Sequence, residues 1–449
     1  MGFRDDFVWG VASSSYQVEG AACEDGKGAS VWDMFCREPG RIIDGSSGDV
    51  ACDHYHRFRE DIAIMKELGV RAYRFSIAWP RVIPDGDGKV NGKGLDFYER
   101  LIDSLQESGI TPYATLYHWD YPYDLFRKGG WLNPESPKWF LGYVEAVAKR
   151  LGGKLPFVFT FNEPQCFIGF SYAETFHAPG IRFPVCDTVL MTHNVLLAHG
   201  LAVGAFRSLS PGTKIGYAPT GPANYPATDS TEDREAARRA FFAVEDKPFL
   251  SESLWSDPVF LGKYPDEFMQ KYEHYLPVKF ADDLKIISAP LDFLGQNIYD
   301  GKPVKADGKG GYEYCRRETG YAFTAAKWPV TPESLYWGPV FLAERYKVPL
   351  YITENGLSCA DVVSLDGNVH DPARIDFLHR YLRCLKKASE DGVDIRGYFH
   401  WCFTDNFEWA KGYTDRFGLV HCTFETQQRI IKDSGYWYRD MIQSNGAQL

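Results

Sequence analysis

The sequence predicts an α/β fold in which eight parallel strands close into a single (β/α)8 TIM barrel. The first observation is a repeated pattern: an amphipathic helix, then a glycine, then a short apolar stretch rich in β-branched and aromatic residues. The second is that eight such apolar stretches occur along the chain. The third is that the GxGxxG and P-loop motifs, typical of open nucleotide-binding sheets, are absent from the sequence. Together they favour a closed barrel over an open, doubly wound sheet.

The pattern is clearest before the second strand. There Phe58, Ile62, Met65 and Leu68 recur at helical spacing, and Gly69 follows them. Similar helices, each followed by a glycine, precede the third, fourth and eighth strands. The predicted strands are 7–10, 70–77, 111–117, 157–162, 214–219, 293–299, 349–355 and 395–401.

The chain of 449 residues exceeds the roughly 250 that a bare barrel needs. No linker, low-complexity tract or charge block divides it, so we predict one domain over residues 1–449. The excess length is then expected in long βα loops. The longest intervals between strand ends fall between the first and second strands and between the fifth and sixth.

Composition narrows the class of protein. Sixty acidic against 49 basic residues give a net charge of −11, which disfavours nucleic acid and anionic membranes as partners. No uninterrupted apolar run of about 18 residues and no secretory signal are apparent. The ten cysteines are scattered, and no metal-ligand spacing occurs. We therefore expect a soluble cytoplasmic protein that needs no metal or cofactor.

The predicted strand ends carry carboxylate, amide, imidazole and indole side chains. In chain order these are His118, Trp119, Asn162, Glu163, Asn297, Tyr299, Glu354 and Trp401, and Arg74 lies inside the second predicted strand. In a closed barrel, Glu163 and Glu354 share one mouth. Cleavage of a glycosidic bond needs such a pair, because one carboxyl group protonates the leaving oxygen while the other meets the developing oxocarbenium ion. An arginine beside one should keep it ionised, and the resulting charge should raise the pKa of the other.

The residues at the strand ends also allow other interpretations. A single Glu after a strand is more often structural, and His118 alone is more often a structural histidine than a ligand. Covalent serine or cysteine chemistry lacks its motifs, and a Schiff-base aldolase would need a lysine at a strand end, which we do not find. A sugar-binding barrel without activity would also keep the aromatic residues.

Ordered motifs along the chain make the sequence similar to glycoside hydrolase family 1, from Phe7 to Tyr438. The residues that carry the resemblance are 7–10 (FVWG), 15–20 (SYQVEG), 73–81 (YRFSIAWPR), 116–120 (LYHWD), 160–164 (TFNEP), 351–356 (YITENG) and 405–410 (DNFEWA). The resemblance implies a TIM barrel and a retaining β-glycosidase. It also implies that Glu163 is the general acid/base and Glu354 the nucleophile, with carboxyl groups about 5 to 5.5 Å apart.

The resemblance implies further roles around this pair. Asn162 should bond the 2-hydroxyl of the sugar, and Arg74, Asn297 and Tyr299 should support the nucleophile. The other implied sugar-binding residues are Gln17, His118, Trp119, Trp401, Glu408, Trp409 and Phe417. On the leaving-group side, Trp328 matches an aromatic residue of the family, and Gln165 stands where many members have Trp.

Two of these positions restrict the class of substrate that we expect. A carboxylate at Glu408 should repel a 6-phosphate, so we expect an unphosphorylated sugar. A glutamate at Glu163, where plant thioglucosidases of the family have Gln, implies an O-glycosidase. The resulting prediction is a retaining β-glucosidase that acts on terminal β-D-glucosyl residues of β-glucosides and cello-oligosaccharides. Side activity on β-galactosides or β-fucosides is expected, and transglycosylation by the same intermediate remains an alternative.

Overall fold

The computed structural model describes residues 2–449, and it confirms the predicted barrel. Eight strands pair in chain order, the eighth closes on the first, and every pairing between neighbours is parallel. The strands are β1 (Val8–Ala12), β2 (Ala72–Ser76), β3 (Thr111–Thr115), β4 (Phe157–Asn162), β5 (Lys214–Ala218), β6 (Phe293–Asn297), β7 (Leu350–Asn355) and β8 (Ile395–Trp401).

The predicted bounds are correct to within two residues at each strand end, and they match at β4 and β8. Tyr299 was expected to end the sixth strand, but β6 ends at Asn297 and Tyr299 lies in the following loop. The glycines that were predicted to end helices differ in their backbone φ angles. Gly69, Gly109 and Gly392 have positive φ, the left-handed conformation that ends many helices. Gly152 has φ −52° and begins a short helical turn, 152–154.

The described residues form fifteen α-helices, which lie around the barrel or within the long loops between its strands. They are α1 (Ser15–Val18), α2 (Val31–Phe35), α3 (His54–Glu67), α4 (Trp79–Val82), α5 (Gly92–Glu107), α6 (Tyr123–Arg127), α7 (Ser136–Leu151), α8 (Val185–Leu209), α9 (Thr231–Phe242), α10 (Glu252–Phe260), α11 (Asp266–Tyr272), α12 (Phe280–Ile287), α13 (Ser334–Tyr346), α14 (Pro372–Glu390) and α15 (Asp433–Gln443). Short strands outside the barrel are Tyr225–Pro226, Pro303–Ala306, Tyr312–Tyr314, Val420–Thr423 and Gln428–Ile431.

Aromatic side chains form much of the core inside the barrel. One buried cluster joins rings from five strands, including Tyr113, Phe159, Phe293, Tyr351 and Phe399. The Tyr113 and Phe399 rings meet edge to face at 4.9 Å between centroids, and those of Phe293 and Tyr351 at 5.1 Å. Such contacts bury large apolar areas in preferred ring geometries. The barrel interior thus accounts for part of the high aromatic content.

Helix α8 is the most apolar long helix of the fold. Its length and composition alone would allow it to cross a membrane, but 67% of its most apolar window is buried inside the protein. It packs against α7 and β4. Several polar residues along it, including Thr192 and His193, are buried as well. Packing in the outer helical layer therefore explains its hydropathy.

The excess length lies where it was predicted. The longest segments between consecutive barrel strands are residues 13–71, after β1, and 219–292, after β5. A third segment follows β4 and begins with a π-helix, Gln165–Ala173. All three leave the carboxyl ends of their strands, which is the face where TIM barrels place their sites.

Candidate active site

A cavity of about 270 Å³ lies at the carboxyl ends of the strands and contains both predicted catalytic residues. Glu163 and Glu354 line it together with aromatic and imidazole side chains. Both are nearly inaccessible to solvent, with 6% and 3% of their surface exposed. The other lining residues are His118, Trp119, Cys166, Phe170, Phe176, His177, Tyr299, Trp328, Trp401, Glu408, Trp409, Ala410 and Lys411.

Glu354 is held at both carboxyl oxygens. The Arg74 guanidinium donates to Oε1 at 2.6 Å, and the Tyr299 hydroxyl donates to Oε2 at 2.8 Å. The pairing of β6 with β7 shifts by one residue between Ile352 and Glu354, an irregularity of the kind that re-aims side chains near sites. Both donors favour the carboxylate form, which a nucleophile requires.

Glu163 has different partners. Asn297 Nδ2 donates to Oε1 at 2.7 Å, and the Cys166 thiol lies 3.0 Å from Oε2. The backbone of Glu163 has φ +47°, in the left-handed region, and its N–H donates to the carbonyl of Ala218 on β5. Pro164 then starts the helical segment that carries Cys166. A neutral amide and a weak thiol donor stabilise negative charge less than a guanidinium does.

The pKa values of the two carboxyl groups are coupled. Burial raises the pKa of Glu163, and burial together with the charge of Glu163 raises the pKa of Glu354 to about 7. The expectation that an arginine beside one glutamate would keep it ionised left out burial and the repulsion between the two carboxyl groups. Both carboxyl groups are therefore shifted towards their protonated forms. Because only Glu354 contacts a guanidinium, we assign the negative charge to Glu354 and the proton to Glu163.

Asn162 links these groups to His118. Its Oδ1 accepts hydrogen bonds from Arg74 and Asn297, so its Nδ2 is the atom that faces His118 Nε2, at 3.2 Å. Burial and the Arg74 charge hold the pKa of His118 well below its usual range, so the ring is neutral. Nδ1 then carries the hydrogen, and it has no partner among the described residues.

Indole rings form one wall of the cavity. Trp401 ends β8, and its ring lies parallel to that of His118 at 5.8 Å between centroids. Trp409 lies 4.4 Å from Trp119, whose Nε1 donates to the backbone carbonyl of Asn162. These flat apolar surfaces match the C–H faces of a sugar ring.

Glu408 lies beside Gln17 at the inner end of the same wall. Gln17 Nε2 donates to the carbonyl of Phe407 at 2.9 Å and approaches Glu408 Oε2 at 3.4 Å. Burial, followed by the nearby charge of Asp415, raises the pKa of Glu408 to about 8. At neutral pH this carboxyl group can therefore both donate and accept hydrogen bonds. By itself, Glu408 should therefore repel a phosphate less strongly than the sequence led us to expect.

A second cavity of about 250 Å³ adjoins the first and shares Glu163, Cys166, Phe170, Tyr299 and Trp328 with it. Gln165 and Trp328 both line this second cavity, as expected for the leaving-group side. Gln165 is buried, and its Oε1 accepts from the Thr220 N–H at 3.4 Å. Its Nε2 has no partner among residues 2–449.

Some predicted residues support the site without lining either cavity. Arg74, Asn162 and Asn297 lie directly behind the glutamates, and Gln17 lies behind Glu408. Phe417 was expected to line the pocket, but it packs behind Tyr299 and Trp328, at 6.3 and 5.8 Å between ring centroids. Tyr299 and Trp328 occupy the cavity surface in its place.

Sequence reasoning missed six cavity residues: Cys166, Phe170, Phe176, His177, Ala410 and Lys411. The first four follow β4 by 4 to 15 residues, beyond the strand-end positions where candidates were sought. Burial lowers the pKa of His177 to about 3, so its ring is neutral. The run Cys166 to His177, rich in aromatic residues directly after Glu163, is the signal that could have indicated this wall.

Comparisons with known proteins agree with this geometry. The family model "Glycosyl hydrolase family 1" matches residues 1–447. Beta-glucosidase A of Thermotoga maritima is 43% identical over 447 residues, 99% of each chain, and Beta-glucosidase A of Acetivibrio thermocellus is 44% identical over 450 residues, 99% of each chain. The solved structure of the Thermotoga maritima beta-glucosidase in complex with glucoimidazole has a TM-score of 0.91, with 99% of both chains covered at 43% identity. The chain therefore belongs to glycosyl hydrolase family 1.

Proposed function

We propose that this protein is a retaining β-glucosidase that releases terminal, non-reducing β-D-glucosyl residues. The observation that carries the proposal is the unequal environment of two glutamates in one cavity. Glu354 contacts a guanidinium and a phenol, whereas Glu163 contacts an amide and a thiol. This difference separates a nucleophile from an acid, as a double displacement requires.

In the first step, a carboxylate oxygen of Glu354 attacks the anomeric carbon and forms a glycosyl ester. The bond between that carbon and the leaving oxygen breaks, and Glu163 transfers its proton to the departing oxygen. When Glu354 forms the ester, its carboxyl group becomes neutral and repels the developing charge on Glu163 less strongly. The pKa of Glu163 then falls, because a neutral ester has replaced a negatively charged neighbour.

In the second step, Glu163 is a carboxylate and removes a proton from a water molecule. The water oxygen attacks the anomeric carbon, the ester bond breaks, and Glu354 regains its negative charge next to Arg74. Two inversions give a product with the original β configuration. The neutral ring of His118, which lines the cavity and is held at Nε2 by Asn162, is placed beside the sugar during both steps.

The cavity favours an unphosphorylated sugar. Three carboxyl groups line it, from Glu163, Glu354 and Glu408, against one ammonium group, Lys411. That ammonium group is already paired with Asp415 at 2.9 Å. A phosphate dianion would therefore lack a free cation in the lining.

The range of substrates includes β-fucosides in our proposal. A relative from Bifidobacterium breve, 39% identical over 471 residues, is named bifunctional beta-D-glucosidase/beta-D-fucosidase. We propose cello-oligosaccharides as substrates and the cytoplasm as the compartment. The ten free thiols of the chain, four of them buried, fit a reducing compartment.

Transglycosylation is the second candidate, in which a sugar replaces water in the second step. The unpartnered Gln165 Nε2 favours it, since a polar leaving-group cavity can also hold an acceptor sugar. Proton NMR during hydrolysis of cellobiose and an aryl β-glucoside tests both activities. β-Glucose as the first product supports the proposal, and α-glucose or no turnover contradicts it. Longer products at high substrate would identify transfer.

A further inference from the structure

Thr353, the residue before the nucleophile, holds the amide that binds the acid/base. Its hydroxyl donates to Asn297 Oδ1 at 2.7 Å. Asn297 Nδ2 donates in turn to Glu163 Oε1 at 2.7 Å and to Asn162 Oδ1 at 3.1 Å. One amide therefore joins a hydroxyl donor on β7 to a carboxyl acceptor that follows β4.

Thr353 reaches Asn297 because the pairing of β6 with β7 is irregular at this point. On β7, Ile352 and then Glu354 pair with consecutive residues of β6, so Thr353 is the extra residue between them. The Arg74 guanidinium donates to the carbonyl of Thr353 at 3.2 Å and thereby holds this backbone in place. Two consecutive residues of β7 thus lie beside Asn297.

Gly295 on β6 provides the space for the Thr353 side chain. A Cβ on Gly295 would lie 2.7 Å from Thr353 Cγ2 and 3.2 Å from its Oγ1. The threonine therefore lies directly over this glycine, and none of its surface is exposed. Because a β-branched side chain has few rotamers, this packing also fixes the direction of the hydroxyl.

The Thr353 hydroxyl determines which end of the Asn297 amide faces Glu163. A buried amide adopts the orientation that satisfies its hydrogen bonds. If the amide turned over, its oxygen would face the Glu163 carboxylate, and the hydroxyl would lose its acceptor, with no other within residues 2–449. Both changes cost free energy in a buried site. The hydroxyl also polarises the amide, which strengthens its donation to Glu163.

The effect of Thr353 on Glu163 passes through this amide. Burial raises the pKa of Glu163, and the hydrogen bond from Asn297 opposes that rise. The Thr353 hydroxyl donates to Asn297 and, among the described residues, bonds none of the charged or titratable groups near Glu163. Those groups are Arg74, Cys166, Tyr299, Glu354 and Glu408.

We propose that Thr353 is a positioning residue for the acid/base, whose hydroxyl holds the Asn297 amide as a donor to Glu163 and so favours the carboxylate form. The inference rests on the proposed acid/base role of Glu163. Strand β7 then carries the nucleophile and, one residue earlier, a group that sets the protonation of its partner.

The test is the pH profile of kcat/KM for an aryl β-glucoside. Thr353→Val keeps the shape of the side chain and removes the hydroxyl, so the pKa of Glu163 should rise. We expect the basic limb to move up by about half a pH unit, which is about threefold in the proton equilibrium. Thr353→Ser keeps the hydroxyl and should return the limb to its wild-type position.

The matched control is Thr160→Val on β4. Thr160 is also fully buried, and its hydroxyl lies 2.7 Å from His199 Nδ1. This variant loses a buried hydroxyl of a barrel strand and should keep the wild-type limb, even if its Tm falls as far as that of Thr353→Val. An equal shift of the limb in both Val variants would show a general effect of core packing and overturn the inference.

A double variant tests the path through the amide. In an Asn297→Ala background, adding Thr353→Val should move the basic limb no further. An additional shift there, an unmoved limb in Thr353→Val, or a Thr353→Ser limb that coincides with the Val limb overturns the inference and leaves the proposed function intact. Absence of turnover in the wild type would instead contradict the proposed function, and the role of Thr353 would fall with it.

Discussion

The Cys166 thiol lies 3.0 Å from Oε2 of Glu163, the oxygen that the Asn297 amide leaves unbound. Burial and the charge of Glu163 raise the pKa of Cys166 well above its usual range. The sulfur therefore stays protonated and can donate to the carboxylate. Cys166 thus stabilises the charged form of Glu163, which is the form needed in the second step.

Replacing this thiol should move the basic limb of the pH profile. Cys166→Val removes a donor to the carboxylate, so the pKa of Glu163 rises and the acid form survives to higher pH. We expect the basic limb of kcat/KM to move up by about half to one pH unit, the equivalent of a hydrogen bond of ~1 kcal/mol. Cys166→Ser keeps a donor of similar size and should leave the limb at or below its wild-type position. Coincident limbs for the Val variant and the wild type would show that the thiol has no effect on the acid/base.

Tyr299 should control the opposite limb. Its hydroxyl donates to Glu354 at 2.8 Å and stabilises the carboxylate that attacks the sugar. In Tyr299→Phe the pKa of Glu354 rises above about 7, so a higher pH is needed to ionise it. The acidic limb of kcat/KM should move up, and Tyr436→Phe on the surface should not move it. A shift of the Tyr299→Phe limb to lower pH would contradict the assigned contact.

Glu19, from the segment 15–20 that helped to identify the family, has a structural role. Its carboxylate lies 2.9 Å from the Arg81 guanidinium and accepts from the Tyr98 hydroxyl at 2.7 Å, with all three side chains buried. Glu19→Ala leaves Arg81 charged and unpaired, and we expect a loss of about 3 to 5 kcal/mol of stability.

The control for this variant is Lys93→Ala, which breaks an exposed ion pair with Asp25. An exposed pair contributes about 1 kcal/mol or less. Thermal unfolding of both variants should show a large decrease in Tm for Glu19→Ala and a small one for Lys93→Ala. Equal decreases in Tm would mean that the buried pair of Glu19 and Arg81 stabilises the fold no more than an exposed ion pair does.

The sequence was sufficient for the barrel because four strands carry the full signal and four further apolar runs complete the set of eight. A helical stripe, a glycine and a continuous apolar run identify a strand between two helices without knowledge of the rest. The topology then brings Glu163 and Glu354 to one mouth, with Arg74 from within β2 beside them. The pairing of the two glutamates was predictable for this reason.

The cavity walls were less predictable because they come from loops. Phe176 and His177 reach the pocket through the segment after β4, whose path depends on a π-helix that periodicity does not reveal. The position of Phe417 depends on packing in the same way, since its ring lies against those of Tyr299 and Trp328. The raised pKa of Glu354 also depends on burial, which is a property of the packed site.

The most direct test of the central claim is azide rescue of Glu354→Ala with an activated aryl β-glucoside. This variant should lose nearly all turnover, regain part of it with azide, and yield α-glucosyl azide, because azide occupies the space of the missing nucleophile and attacks once. Glu163→Ala is the matched control and should yield β-glucosyl azide through the intact Glu354. Wild-type turnover by Glu354→Ala, or β-glucosyl azide as its product, would contradict the assignment of Glu354 as the nucleophile.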